Sequence, residues 1–352
     1  MRALKLWPSS APIPASFSRR KGLTIAELLV ALGCCGLLLS LISPAILKAR
    51  SAAQRLNCQN RLRQVGIALQ GHAAAKQSFP RGGVWRSAER QLIAHAPHVH
   101  LLPYLGMSAE YADIDLNSPA NRSGVSQVLT RGTKPRISVF LCPSDPSLMT
   151  DMRNSYRANI GVTVFPDLSN SSTIAHDPPL AGFGAFFPVH QDLSPADFLD
   201  GLSQTVGFSE RVAGDGDDAR FTPGPDINFH VDVGAVNAAL RSPQVESLYL
   251  DLCANIPSPP LWHDSSAGRY WLFSGFLDTW YNHVLTPNHP IPDCANVTGV
   301  SGAGVIPARS AHPGGVNVLL MDGHVRFINN TVDARVWRAL GTRDGYELDH
   351  QY

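Results

Sequence analysis

The chain is poor in charge. Asp, Glu, Lys and Arg make up 16% of its 352 residues, against roughly 25% in an average soluble domain. The charges that are present nearly cancel, 29 basic against 28 acidic residues, which leaves no electrostatic footprint for nucleic acid. Common enzyme signatures are missing too: there is no Walker loop, no G-x-G-x-x-G and no H-E-x-x-H. Gly207-Phe208-Ser209-Glu210-Arg211 is not a nucleophile elbow, because Arg211 stands where the second glycine belongs. No cysteines are spaced C-x-x-C, so neither a zinc ribbon nor a thioredoxin motif is supported. Internal repeats and low-complexity tracts are also absent. Together these absences argue against an enzyme and against a nucleic-acid partner.

What the chain does have is glycine (29), proline (27) and an ordinary hydrophobic content of 44%. That balance predicts a loop-rich exported head, and the length allows one large domain or two small ones. One stretch organises the rest: Arg19-Arg20-Lys21-Gly22-Leu23-Thr24-Ile25-Ala26-Glu27, followed by an apolar run to Leu47. Leu28 to Leu47 supplies the about 20 apolar residues that cross a bilayer. The basic cluster before it predicts a cytoplasmic N-terminus and an extracytoplasmic body. Glu27 is the anomaly, since a carboxylate in a membrane segment is expensive and is a functional candidate by default. Beyond Leu47 the pattern predicts continued helix to about Ala75, with Cys58, Leu62, Val65 and Leu69 forming a one-sided apolar stripe.

The leader stretch resembles the N-terminal cleavage and methylation segment of type IV prepilins and type II secretion pseudopilins. The resemblance implies cleavage after Gly22 by a prepilin peptidase, N-methylation of Leu23, and Glu27 as the fifth mature residue. That glutamate would pair with the terminal amine of a neighbouring pilin-like subunit. Pro44 falls where many pilins have a kinking proline. Leu23 departs from the usual Phe or Met, and Ala26 from the commoner Leu. The five basic residues Arg2, Lys5, Arg19, Arg20 and Lys21 would leave with the leader. Two other readings compete: a plain signal anchor, and a lipoprotein signal in which Ala31-Leu32-Gly33-Cys34 ends at an acylated Cys34. Against the second, Glu27 would sit inside its apolar region, and the run continues past Cys34. The expected organisation is a leader (1–22), a transmembrane segment (23–47), a spine helix (48–75) and an exported head (76–352). The expected fold is α+β, with the long helix packed on an antiparallel sheet and a large loop-rich insertion. The protein would sit in the cytoplasmic membrane as a single pass with a periplasmic head, or in an extracellular filament. A non-assembling, membrane-tethered binding module that uses the leader only for export is the alternative.

Four cysteines lie beyond the apolar run: Cys58, Cys142, Cys253 and Cys294. An exported body with an even number predicts two disulfides. Of three connectivities, Cys58–Cys142 and Cys253–Cys294 close their loops at the lowest entropy cost. Further along, Arg136–Cys142 reads as a strand and Gln204–Phe208 as another. Ser169–Pro179 and Ala213–Asp226 read as polar loops. Val316–Met321 and His324–Ile328 flank Asp322-Gly323, a type I′ hairpin signal. Ala334–Leu340 reads as a closing helix capped by Asp333.

These head segments resemble a second pattern, that of a large group of prepilin-like proteins abundant in planctomycete-type bacteria. Its marks are Cys58-Gln59-Asn60-Arg61-Leu62-Arg63-Gln64, Leu101 to Leu105, Cys142-Pro143-Ser144-Asp145, Ser155 to Gly161, and Asp200 to Thr205 followed by Glu210. The last is His312, nine residues, then Asp322-Gly323. The head of that group has no assigned function, so the resemblance leaves its ligand open.

Three constellations invite chemistry. His95, His98 and His100 offer three imidazoles for Zn²⁺ or Cu²⁺, but a strand puts His95 on the opposite face and Pro97 would interrupt a helix, so a solvated loop is expected. Asp215, Asp217 and Asp218 offer clustered oxygens for calcium, without EF-hand spacing; an acidic turn is the plainer reading. His312 with Asp322 suggests a dyad, yet Asp322 suits a hairpin tip, and His312 reads as a hydrogen-bonding staple near the strand entry. Trp262, Tyr270, Trp271, Trp280 and Tyr281 read as core rather than as an exposed binding platform. No cofactor is expected, calcium at the acidic turn being the one alternative reading.

Overall fold

A computed structural model describes residues 22, 24–82, 84–86, 91–93, 95–118, 124–132, 134–147, 152–164, 184–186, 192–229, 245–256, 262–296 and 303–345. Leu23, the side chain of Pro44 and the loop 169–179 lie outside the described residues. The chain divides into two units, Met1–Ser51 and Ala52–Tyr352.

Helix α1 (Ile25–Lys76) starts in the first unit, where it opens with a reciprocal cap, and ends in the second. Thr24 donates to Glu27 Oε2 from its backbone N and its Oγ1, at 2.9 and 2.8 Å, and Glu27 N donates back to Thr24 Oγ1 at 3.3 Å. This Thr-x-x-Glu box satisfies donors that a helix start otherwise leaves bare. It gives Glu27 a local role beside the one the resemblance implies. Ile25, Leu29, Val30 and Leu37 are 63–79% exposed. Among the described residues no helix is long and apolar enough to cross a membrane.

The second unit is α+β with antiparallel-rich sheets. Its strands are β1 (Val84–Arg86), β2 (Gln91–Ile93), β3 (Tyr156–Asn159), β4 (Val206–Glu210), β5 (Ile227–Asn228), β6 (His263–Asp264), β7 (Trp280–Tyr281), β8 (Cys294–Asn296), β9 (Ala303–Val305), β10 (Gly315–Leu320) and β11 (Val325–Asn329). The main sheet runs β11-β10-β4-β3-β7, and only the β3–β7 pair is parallel. A smaller sheet runs β6-β5-β8-β9. The later helices are short: α2 (Pro97–Leu101), α3 (Ser108–Ala112), α4 (Val125–Val128), α5 (Val245–Ala254) and α6 (Ala334–Gly341).

Cys58, Leu62, Val65 and Leu69 are fully buried, so the 4-3-4 spacing of the stripe marks the face of α1 that packs on the head. The close approach falls at Gly66, where an added Cβ would lie 2.8 Å from Leu319 Cδ1 and 3.0 Å from Gly323 O. Gln59 Nε2 donates to Asn317 Oδ1 at 2.9 Å, and Gln70 Nε2 donates to Met321 O. Residues 59–70 of the helix therefore lie along the β10–β11 hairpin. Asp333 caps α6, accepting from Arg335 N and Val336 N.

Three local expectations are corrected. Ser138–Phe140 is a 3₁₀ turn rather than strand; it buries Phe140 and leaves Ser138 O and Leu141 O to Arg61 Nη1. The β10–β11 connection is not type I′, because Gly323 has positive φ (93°) and Asp322 does not. Gly323 N donates to Leu320 O and Leu320 N to His324 O, so a tight turn ends in a glycine bulge. The histidines are not in a solvated loop. Pro97 starts α2 instead of breaking it, since the first helical residue needs no amide donor.

His95 and His98 are buried, and His98 Nε2 pairs with Tyr156 O at 2.8 Å between the rings of Phe140 and Phe208. Burial pulls His95, His98 and His100 down to about 4. It pulls His283, stacked on Trp337 at 3.9 Å, down to about 3. The unfolded chain protonates these rings near pH 6.5 while the folded chain refuses the protons. Their stability contribution is therefore full above pH 6.5 and is lost as pH falls toward 4. His98→Gln retains a donor for Tyr156 O and removes one titration. Denaturant melts from pH 7.5 to 4.5 should show a slope shallower than wild type by up to about 1.4 kcal/mol per pH unit.

Candidate functional site

The scattered head motifs converge on one buried point. The stripe of α1 delivers Cys58, and the turn after Phe140 delivers Cys142. The end of β4 delivers Glu210, and the segment entering β10 delivers His312. Cys58 and Cys142 are joined as a disulfide with Cα atoms 4.9 Å apart. His312 Nε2 lies 3.6 Å from Cys142 Sγ and 3.4 Å from Glu210 Oε1. One ligand atom from each of Cys58, Cys142, Glu210 and His312 lies within 4.8 Å of the others, and all four residues are buried.

Glu210 is held from three directions. Its Oε2 accepts from Ser310 Oγ at 2.7 Å and Asn317 N at 2.9 Å, and its Oε1 accepts from Asn317 Nδ2 at 2.8 Å. Ser310 Oγ also accepts from His312 N at 3.0 Å, so one hydroxyl positions both the imidazole and the carboxylate. Asp145, in the turn after Cys142, accepts from Ser155 Oγ at 2.7 Å and Ala213 N at 3.2 Å. Beside these groups is a cavity of about 10 Å³, room for roughly one water, lined in part by Cys142, Asp145, Glu210, Arg211 and Ser310.

Next to the cluster is a buried ionic triad. Asp293 lies between Arg211 Nη2 at 2.5 Å and Arg309 Nε at 2.6 Å. Arg309 N donates to Glu210 O and Val212 N to Arg309 O, which aligns the two backbones and brings both guanidiniums to one carboxylate. Arg309 also donates to His289 O and Ile291 O at 2.8 and 2.7 Å. Asp293→Asn removes the anion and leaves two buried cations facing one amide. The expected loss is about 3 kcal/mol, read as a lowered denaturant midpoint, while Arg309→Met with Asp293→Asn should recover part of it.

The other sequence candidates lie elsewhere. Gly22 and Glu27 are exposed at the start of α1, and Leu23 and the Pro44 kink fall outside the described residues. Cys253 on α5 is joined to Cys294 on β8 of the smaller sheet, with Cα atoms 5.7 Å apart. Asp322 and Gly323 cap the far end of β10 from His312, and Asp322 pairs with His324 at 3.0 Å. In the acidic loop each carboxylate accepts from a neighbour. Asp215 takes Asp217 N and Thr222 Oγ1, Asp217 takes Ala219 N, and Asp218 takes Ser265 Oγ. Asp217 and Asp218 are exposed, as an acidic turn should leave them, whereas Asp226 at the end of the loop is buried, and burial raises it to about 6. Of the aromatic group only Trp262 is exposed; Tyr270, Trp271, Trp280 and Tyr281 are core. Glu210 and Asp293 were not legible as site residues. A signal for Glu210 existed in the Asp200–Thr205 motif that precedes it; for Asp293 there was none.

Comparison with curated proteins and with solved structures returns no match. The sequence model of one family, described as "Protein of unknown function (DUF1559)", matches residues 47–335, which takes in the whole Cys58–Cys142–Glu210–His312 cluster and the hairpin; the chain belongs to that family.

Proposed function

We propose that this is a membrane-anchored, prepilin-like structural protein, cut after Gly22, N-methylated at Leu23 and assembled through α1 with other pilin-like subunits into a pilus or pseudopilus. One observation carries the reading. The amino-terminal part of α1 leaves Ile25, Leu29, Val30 and Leu37 at 63–79% exposure, on both sides of a fifth-position glutamate and directly after a basic cluster and a glycine. Apolar helix surface of that kind needs a lipid or protein neighbour. The body of the same helix meanwhile builds the core of the head. Glu27 serves the reading because a terminal amine buried among apolar helices needs an opposite charge.

The test is the mass and N-terminal chemistry of the mature protein taken from its native membrane. A chain beginning at N-methyl-Leu23 supports the reading. An intact Met1, or a diacylglyceryl group on Cys34, removes it and leaves the tethered binding module.

A further inference from the structure

We propose that the Cys58–Cys142 disulfide, once reduced, becomes a tetrahedral zinc site completed by His312 Nε2 and Glu210 Oε1. The distances are those of such a site. With Zn–S near 2.3 Å and Zn–N and Zn–O near 2.1 Å, the edges of a tetrahedron are about 3.6 Å for S···N and about 3.4 Å for N···O. The structure has 3.6 Å between Cys142 Sγ and His312 Nε2 and 3.4 Å between His312 Nε2 and Glu210 Oε1. Two thiolates on one zinc stand about 3.8 Å apart. Cys58 and Cys142, with Cα atoms 4.9 Å apart, reach that spacing by side-chain rotation. The cavity lined by Cys142 and Glu210 gives the opened Sγ room to move.

The surroundings suit the ion. A ligating carboxylate needs partners that fix its orientation, and Glu210 has Ser310 Oγ, Asn317 N and Asn317 Nδ2. Ser144 Oγ, 3.9 Å from Cys58 Sγ, is placed as a donor to a thiolate. Charge is conserved as well. A neutral disulfide is exchanged for two thiolates and Zn²⁺, so the pocket around Glu210 has the same net charge in both states.

The chemistry balances. An external dithiol gives two electrons and two protons, its own sulfurs join, and the Cys58–Cys142 bond opens to two thiols. Zn²⁺ then displaces both thiol protons to solvent. The bond between α1 and the head is thereby replaced by a metal clip at the same point, reversed when an oxidant remakes the disulfide and expels the ion. This inference does not rest on the assembly reading.

The test uses the full chain in detergent with Cys34→Ser and Cys35→Ser, which removes the exposed thiols. It is titrated with Co²⁺ and then Zn²⁺, before and after treatment with a phosphine reductant. Expected is one Co²⁺ per reduced chain with thiolate-to-cobalt absorption and tetrahedral d–d bands, displaced by Zn²⁺ and absent from the oxidised chain. His312→Asn and Glu210→Gln should each weaken binding at least about 10-fold, and Asn317→Ala about 10–100-fold. Cys253→Ser should leave the signal intact. The inference is overturned by equal binding before reduction, by unchanged affinity in His312→Asn, or by loss of the signal in Cys253→Ser. A reduced chain that unfolds by circular dichroism and refolds with Zn²⁺ supports it; one that zinc does not restore overturns it.

Discussion

Removing the Cys58–Cys142 link should lower the stability of the head by about 4–5 kcal/mol. The bond joins residues 84 apart in sequence, and chain-entropy arguments assign about 4–5 kcal/mol to closing a loop of that length in the unfolded state. Local packing adds little to the loss, because Cys58→Ala with Cys142→Ala deletes only two small side chains. The neighbouring Tyr156 Oη still donates to Cys58 O at 2.9 Å, a backbone contact that survives substitution. Removing Cys253–Cys294, which spans 41 residues, should cost less. Unfolding free energies of the two double mutants, each taken with its own m-value because a released loop expands the unfolded chain, give the comparison. A loss under about 1 kcal/mol at Cys58–Cys142 would show that the unfolded chain already holds that loop closed.

Glu27→Gln should abolish filament assembly while leaving α1 and membrane association intact. The choice of Gln follows from the cap at the helix start. Glu27 accepts from Thr24 N and Oγ1, and glutamine completes the same box. Only the charge is lost, and in the proposed filament that charge neutralises the next subunit's amine in an apolar setting, where an unpaired ion costs several kcal/mol. Alanine would remove cap and charge together and confuse the two roles. Sheared filament fractions and cross-linking between neighbouring subunits measure the result. Normal assembly by Glu27→Gln would assign this residue to capping alone.

Features set by local rules were legible in the sequence. The stripe Cys58, Leu62, Val65 and Leu69 follows helical spacing, the hairpin at Asp322-Gly323 follows turn chemistry, and Asp333 caps α6 as a short acidic side chain should. The misses are tertiary. Nothing in Arg136–Cys142 says that its carbonyl oxygens will accept from Arg61 rather than from a neighbouring strand. The run His95–His100 looks polar, yet the fold buries His95 and His98, with Tyr156 O partnering His98. The site itself was half legible. Cys58, Cys142, Glu210 and His312 stood in separate motifs, but no spacing rule says that α1, the turn after Phe140, β4 and the entry to β10 bring them within 4.8 Å. Asp293 was invisible because its meaning comes from Arg211 and Arg309, 82 and 16 residues away.

Among the described residues of α1, Cys58 is the first that is buried, and it is also the one bonded to the head. Mechanically, tension arriving along the helix from its amino-terminal side meets a covalent bond before it reaches the buried stripe of Leu62, Val65 and Leu69. The load passes through Cys142 into the body of the head, and Leu62, Val65 and Leu69 behind it are shielded from peeling. The head is thus fastened covalently near the edge where peeling would start.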